Sequence, residues 1–426
     1  MTCKQGGKMK NKINKIFAMT AALTLATALF FGSGAVFAET DTYPWLSSPK
    51  TAVFFENSAA ETAASSDILK NPVFKEILGW IDRAYVDKDP DKEKMLEGAL
   101  NGLLQSLDPN SRYISPEEAK MEQDEMRGKF YGIGLQIDKK DAERITVVSV
   151  FEGSPAEKAG IKAGDVIIKI RDDAGELTIV KSTTLQTIVK KIRGAKGTKV
   201  VLTIYRSGAA EYSKIEVTRD EIKIQNVIFK KIGNTGYVRL NMFNGTAARD
   251  VKKAIDELKT LGAKNMILDL RDNPGGLLDA VDFIASGFLP AGKTIVSIKN
   301  RDGAAETTFS DGYGFYEEGP LVVLVNGGSA SASELLAAAI KENGRGKLVG
   351  TTTFGKGSVQ RGFPLSNGGQ LRLTVAKFYS PNGNVIHGKG VEPDIEVEIT
   401  DPANFKPGEP EKDPQLKKAL KILNGN

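Results

Sequence analysis

The chain reads as an α/β core that carries an inserted α+β module of short strands, with helices ahead of both. Three observations predict this. Between residues 225 and 399, runs of aliphatic and β-branched residues alternate with helical patterns, as in a sheet with returning helices. Between 128 and 206, short strands alternate with glycine turns and a single helical stretch. Ahead of these, Ile77, Leu78, Ile81 and Tyr85, then Leu96, Leu100, Leu103, Leu104 and Leu107, recur at helical spacing.

The first element is a targeting segment. Lys4, Lys8, Lys10, Lys12 and Lys15 precede an apolar run from Ile16 to Phe31. Val36-Phe37-Ala38 then places small residues where a signal peptidase cuts, after Ala38. Residues 1–38 are expected to be a signal peptide or, because the run is nearly long enough to span, a membrane anchor. Translation begins at Met1 or Met9, the latter opening a more typical basic region. Residues 39–66, rich in Ala, Ser and Thr, read as a linker. Residues 67–127 form the helical N-terminal region, interrupted at Ser106-Leu-Asp-Pro-Asn-Ser111. It is expected to be a packing unit or a dimerisation arm.

In the module at 128–206, strands are expected at 145–150, 165–170 and 199–205. A helix at 184–192 places Leu185, Ile188, Val189 and Ile192 on one face. In the core at 207–400, strands at 236–241, 266–271, 321–326 and 347–353 alternate with helices at 246–261, 277–288 and 332–342. Residues 401–413 read as a Pro- and charge-rich linker, and 414–423 as a short amphipathic helix.

Composition excludes several functions. The net charge of +5 is carried by the N-terminus: removing its five lysines from 58 basic residues leaves 53, equal to the 53 acidic ones. The body therefore has no basic surface for nucleic acid. One His, at 387, and one Cys, at 3, leave almost no material for zinc ligation, so no metal is expected.

The same scarcity points to the chemistry. With a single histidine available, the base for any serine nucleophile is most economically a lysine. Ser331 lies in Gly328-Ser-Ala-Ser-Ala-Ser-Glu334, where a buried-strand pattern turns into a helix. Free N–H groups and the positive end of a helix dipole suit a developing oxyanion. The plainer alternative is that these serines only cap the helix. Lys356 lies in Phe354-Gly-Lys-Gly-Ser-Val-Gln360. An ordinary lysine titrates near ~10.4, so a base at neutral pH needs a drop of about three pH units, roughly 4 kcal/mol. Burial supplies that, and Phe354 is expected to form part of an apolar wall. Gln360 can orient an amine without raising its pKa. Leu268-Asp-Leu-Arg-Asp-Asn-Pro-Gly-Gly276 ends a strand in a tight turn whose glycine amides can face an oxyanion, or can simply turn the chain. A phosphate loop is the rival reading of Gly350 to Lys356, but Gly357 stands where magnesium needs a hydroxyl. His387 as base is disfavoured by its turn-rich surroundings.

These motifs together resemble the carboxy-terminal processing proteases, also called tail-specific proteases. Ser106-Leu-Asp-Pro-Asn-Ser111 and Gly388-Lys-Gly-Val-Glu-Pro-Asp394 extend the resemblance over about residues 70–400, with Asn110 standing where the family often has histidine. The resemblance implies a core like the ClpP/crotonase spiral, Ser331 as nucleophile, Lys356 as base and Gln360 as its orienting partner. It implies an oxyanion hole from Ala332 and from Gly275 or Gly276, and no cofactor. The module resembles a PDZ domain. Gly132, Ile133, Gly134 and Leu135 fit its carboxylate loop, and Leu185, Ile188 and Ile192 would line a groove for apolar C-terminal tails. The expectation is an exported, extracytoplasmic bacterial endopeptidase: secreted, in the cell envelope or membrane-anchored, a homo-oligomer with a dimer favoured, gated by its PDZ module. The alternative is a PDZ adaptor on an inactive protease scaffold.

Overall fold

The computed structural model describes residues 70–425, apart from 142, 143, 152, 182, 184, 210, 223, 224, 402 and 403. The expected signal segment and the linker at 39–66 lie outside the described residues. The chain divides into two compact units, residues 1–89 and 90–426.

In the first unit, helix α1 (Pro72–Ala84) starts on a proline, and Asn71 caps it by accepting from Val73 N–H at 3.0 Å. Its apolar stripe of Val73, Ile77 and Trp80 is exposed. Among the described residues, no helix is long and apolar enough to cross a membrane.

The second unit opens with α2 (Lys92–Gln105), strand β1 (Arg112–Ile114) and α3 (Pro116–Met126), which Ser115 caps. The inserted module follows: β2 (Phe130–Gly132), β3 (Leu135–Asp141), β4 (Arg144–Val150), α4 (Pro155–Lys158), β5 (Val166–Asp172), β6 (Gly175–Thr178), α5 (Leu185–Ile192), β7 (Lys199–Tyr205), β8 (Ser213–Thr218) and β9 (Asp220–Ile222). Its antiparallel sheet runs β3-β4-β5-β7-β8, with β6 on β5. Ile145, Ile167, Ile170, Ile188 and Leu202 fill its core with no exposed surface. The sheet continues past residue 206, because Ile215 and Val217 of β8 pair with β7 and add to the same core. β2 and β9 pair antiparallel as a stem where the chain enters and leaves the module.

The core comprises β10 (Val227–Ile232), β11 (Thr235–Leu240), α6 (Ala247–Thr260), β12 (Asn265–Asp269), α7 (Leu278–Phe288), β13 (Thr294–Asn300), β14 (Ala305–Phe309), β15 (Leu321–Val325), α8 (Ala332–Glu342), β16 (Lys347–Gly350), β17 (Ser358–Pro364), β18 (Gln370–Tyr379), β19 (Ile395–Glu396) and α9 (Pro414–Leu423). The main sheet runs β10-β11-β12-β15-β16-β19, parallel from β11 onward. Strands β12 and β15 are buried along their whole length, which explains their unbroken apolar runs. Leu416 and Ala419 of α9 pack against Tyr237, Ile267, Val322, Leu324 and Val349 on one face of the sheet. A second sheet holds β1-β18-β13-β14, with β17 on β18.

The segment 401–413, expected as a linker, ends in the core. Asp413 has no exposed surface and receives two hydrogen bonds from the guanidinium of Arg271, at 2.9 and 2.7 Å. Proline and charge mark a linker only when the charges face water.

Candidate active site

Three chain turns meet at the carboxyl ends of the parallel strands, where open α/β sheets place their sites. The first follows β15. Ser331 stands at the start of α8 with φ of 53° and ψ of −114°, a conformation that non-glycine residues rarely adopt. Only Asp272 shares a positive φ among the described non-glycine residues. The flanking serines serve the backbone. Ser329 Oγ donates to Leu270 O at 2.8 Å, and Ser333 Oγ donates to Asn273 O at 2.9 Å. Both are fully buried, whereas Ser331 is partly exposed. The middle serine is thus the one presented to solvent.

The second turn follows β12. Asn273, itself buried, bridges it to the serine turn: its carbonyl accepts from Ala330 N–H at 3.0 Å as well as from Ser333. A Cβ on Gly275 would lie 2.9 Å from both Ala332 N and Ser331 Cβ, so only glycine permits this approach. Gly275 N–H is already donated to Asn273 Oδ1 at 2.9 Å. Gly276 N–H and Ala332 N–H carry no hydrogen bond among the described residues. Asn273 thereby separates the two glycines, which the sequence left equivalent.

The third turn follows β16 and carries Lys356. Gly355, at φ of 90°, and Gly357 let the 386–390 loop close over it, since a Cβ on Gly357 would sit 2.3 Å from His387 N. His387 is exposed. Burial pushes the Lys356 ammonium below the ordinary lysine range; Arg372 and Arg112 push the same way, and Glu334 opposes them. Phe354, expected as an apolar wall, is instead 67% exposed. Where the sequence suggested only an apolar wall of Phe354 and flanking strand residues, two arginines add to burial. They face one another across β1 and β18, and Glu122 of α3 pairs with both.

Gln360 lies on β17 with its amide donating to Ser358 Oγ at 2.8 Å and Thr374 Oγ1 at 3.3 Å. Thr374 Oγ1 donates in turn to Asp108 Oδ1 at 3.1 Å, and Asn110 Nδ2 donates to Ser358 Oγ at 3.4 Å. The Ser106–Ser111 turn, which sequence reasoning treated as a helix break, is therefore a support for Gln360. Among hydrogen bonds, those of Asp108 to Ser111, Asn110 and Thr374 lower its carboxyl against the opposing effect of burial.

Glu334 was overlooked. It is fully buried, and its four hydrogen bonds connect the serine and lysine turns. The signal that could have found it is the Ser-x-x-Glu spacing of a capping box at Ser331.

In the inserted module, Phe130 to Leu135, Ile137, Phe151, Val189, Ile192, Arg193 and Ile222 line one groove. Gly132, Ile133, Gly134 and Leu135 all lie on it. Gly134, at φ of 80°, fits against Ser154, where a Cβ would lie 2.3 Å from its own. Of the helix residues expected there, Ile192 lines the groove. Ile188 points into the module core, and Val189 takes the groove position instead. Leu185 opens α5, and its side chain lies outside the described residues.

Comparison with known proteins identifies the family. The family model described as Peptidase family S41 matches residues 234–397, and that for the PDZ domain matches residues 121–205. A carboxy-terminal-processing protease of Bartonella bacilliformis is 41% identical over 322 residues, covering 74% of this chain and 73% of that protein. The carboxy-terminal processing protease CtpB of Bacillus subtilis is 36% identical over 410 residues, 95% of this chain and 82% of its own. Among solved structures, a photosystem II D1 C-terminal processing protease is similar with a TM-score of 0.53 and 31% identity, over 83% of this chain and 96% of that one. The chain belongs to peptidase family S41, and it is a carboxy-terminal processing serine protease equipped with a PDZ domain.

Proposed function

We propose that this protease grips an apolar C-terminal tail in the PDZ groove and cuts near that end through a Ser331–Lys356 dyad. The observation that carries the reading is the shared anchor of the two residues: both donate their backbone N–H groups to Glu334 Oε2 at 2.8 Å. In the first half-reaction, Ser331 Oγ attacks the scissile carbonyl while neutral Lys356 takes its proton. The N–H groups of Ala332 and Gly276 hold the oxyanion. Collapse breaks the C–N bond, and the Lys356 ammonium returns the proton to the leaving amine. Water then attacks the acyl-serine with Lys356 again as base, releasing the acid and restoring Ser331. Gln360, through its amide carbonyl, orients the amine.

The finer features belong to the same proposal. The core adopts the ClpP/crotonase-like arrangement, supported by its parallel sheet with returning helices. The protein is exported, on the strength of residues 1–38, which act as signal peptide or membrane anchor. It assembles as a dimer through the helical N-terminal region, supported by the exposed apolar stripe of α1. The PDZ module gates turnover, supported by α3, where Glu118 reaches Lys190 at 2.5 Å and Glu125 pairs with Arg193, while Glu122 holds the arginines beside Lys356.

The test is mass spectrometry of products from a library of proteins that differ only in their C-terminal tails. Wild type is expected to release short C-terminal fragments from apolar tails, and Ser331→Ala to release none. Cleavage by Ser331→Ala at the wild-type rate would overturn the dyad, and no product from wild type would favour a PDZ adaptor.

A further inference from the structure

Glu334 is a charged side chain with no exposed surface that the dyad reading does not use. Burying a carboxylate is costly unless its oxygens are satisfied. Here each oxygen accepts twice. Oε1 takes Thr353 Oγ1–H and Gly355 N–H, both at 2.6 Å, and Oε2 takes Ser331 N–H and Lys356 N–H, both at 2.8 Å. Three of the four donors are backbone groups, so the carboxylate fixes main chain rather than side chain. From within α8 it holds both the serine turn and the lysine turn that follows β16. The Ser331 conformation it holds is one that persists only where surrounding contacts fix it.

We propose that Glu334 is a positioning residue for the reaction: one buried carboxylate clamps the backbones of Ser331 and Lys356 into a common frame and places a negative charge beside the lysine. The proposal rests on the dyad reading above. The clamp sets the approach of nucleophile to base, and misplacement on the order of 1 Å costs about 100-fold in rate. The charge acts on protonation. The charged groups that face Lys356 are Arg372 on β18, Arg112 on β1 and Glu334 on α8, with Glu122 of α3 pairing with both arginines and His387 in the covering loop. Glu334 opposes the arginines, so the lysine is not driven so far down that it becomes a feeble base.

The two roles separate by substitution. Glu334→Gln can keep its oxygen on Ser331 and Lys356 and turn its NH2 to Thr353, whose hydroxyl is able to accept. It removes the charge and keeps the bonds to Ser331 and Lys356, while Gly355 N–H, facing the new NH2, loses its acceptor. Glu334→Asp keeps the charge but is one methylene too short to span both turns. The experiment follows turnover of a fluorogenic peptide with an apolar C-terminus, as kcat, KM and the pH dependence of kcat/KM, in the full chain. Glu334→Gln is expected to move the acid limb of the profile to lower pH with kcat at the plateau retained within about 10-fold. Glu334→Asp is expected to leave the limb in place and lower kcat about 100-fold, with KM little changed because the tail binds elsewhere. An unmoved limb in Glu334→Gln would overturn the electrostatic role, and wild-type kcat in Glu334→Asp would overturn the clamp. Thermal melting establishes that each variant is folded. If the glutamine variant is not, the aspartate arm alone decides the clamp, and Thr353→Val, which removes one donor to Oε1 without touching charge, decides whether loosening the carboxylate lowers kcat. Ser331→Ala and Lys356→Ala run alongside. Turnover by either sinks the dyad itself, whereas dead dyad variants beside unaffected Glu334 variants sink only the role of Glu334.

Discussion

Arg271 and Asp413 stand 142 positions apart in the sequence and meet in the protein interior through two hydrogen bonds, at 2.9 and 2.7 Å. Asp269 completes the cluster with bonds of 2.9 and 2.6 Å to the same guanidinium. Burial alone would raise the Asp269 carboxyl, but the Arg271 charge and its hydrogen bonds, with Arg239 and Tyr237, hold it below the usual range. Arg271 directly precedes the turn of Asp272 to Gly276, so the C-terminal segment is bolted to the base of the active site.

Breaking that bolt is expected to be costly. Asp413→Ala leaves the Arg271 charge under-compensated and removes the cap of α9, a loss of about 3–5 kcal/mol in unfolding free energy. Urea unfolding monitored by far-UV circular dichroism checks it, since both tryptophans, Trp45 and Trp80, lie ahead of the second unit. A change below about 1 kcal/mol would mean that the cluster contributes little net stability.

The arginines beside Lys356 predict a pH effect of defined sign. As the proposed base, Lys356 works when neutral, so kcat/KM is expected to rise with pH through its lowered pKa. Arg372→Gln removes a positive neighbour that disfavours the ammonium. The limb then moves to higher pH, opposite to the shift expected for Glu334→Gln. The pH profile of kcat/KM at constant ionic strength reads both.

Gly275→Ala places a Cβ 2.8 Å from Ala330 O and 2.9 Å from Ala332 N. The serine turn and the turn after β12 must then part. The expected outcome is a fall in kcat of about 100-fold, with tail binding unchanged. Stopped-flow or steady-state kinetics together with peptide anisotropy separate these quantities.

Val189 lines the PDZ groove from α5. Val189→Asp puts a carboxylate where an apolar tail would lie, and tail affinity is expected to drop about 10- to 100-fold, matching the ~1.5–3 kcal/mol of one lost apolar contact. Fluorescence anisotropy of a labelled C-terminal peptide measures it, and unchanged affinity would move the tail site away from this groove.

The parts of the site that are contiguous in sequence were the parts that could be read. The Ser331 and Lys356 turns and the Gly275-Gly276 turn each announce themselves through glycines and a strand-to-helix switch. Relationships between turns were not legible. Nothing local to Gly275 says that it lies against Ser331 and Ala332, and nothing near Phe354 says that charges on two other strands, Arg372 and Arg112, act on the lysine instead. Strands β7, β15 and α8 fall where periodicity puts them, within a residue or so. The β13–β14 hairpin went unread because Thr294 to Asn300 is partly buried and carries charge on its open face, which blurs the two-residue alternation. On α5, helical spacing found the apolar face, but it could not say which of Ile188 and Val189 faces the module core and which the groove, since adjacent positions share one edge of that face.

The β2–β9 stem has a practical consequence for protein engineering. Gly132 and Asp220 are paired neighbours across antiparallel strands, so the ends left by excising the residues between them lie only about 4.5–5.5 Å apart. A two-residue turn such as Asn-Gly spans that gap. The tail-binding module can thus be removed as a cassette bounded at 133 and 219, with both stem strands kept in register. A cut at 206 would instead strand β8 without its sheet. The same stem is a socket: a domain whose own termini sit side by side can be grafted there, giving a protease core with a different choice of substrate.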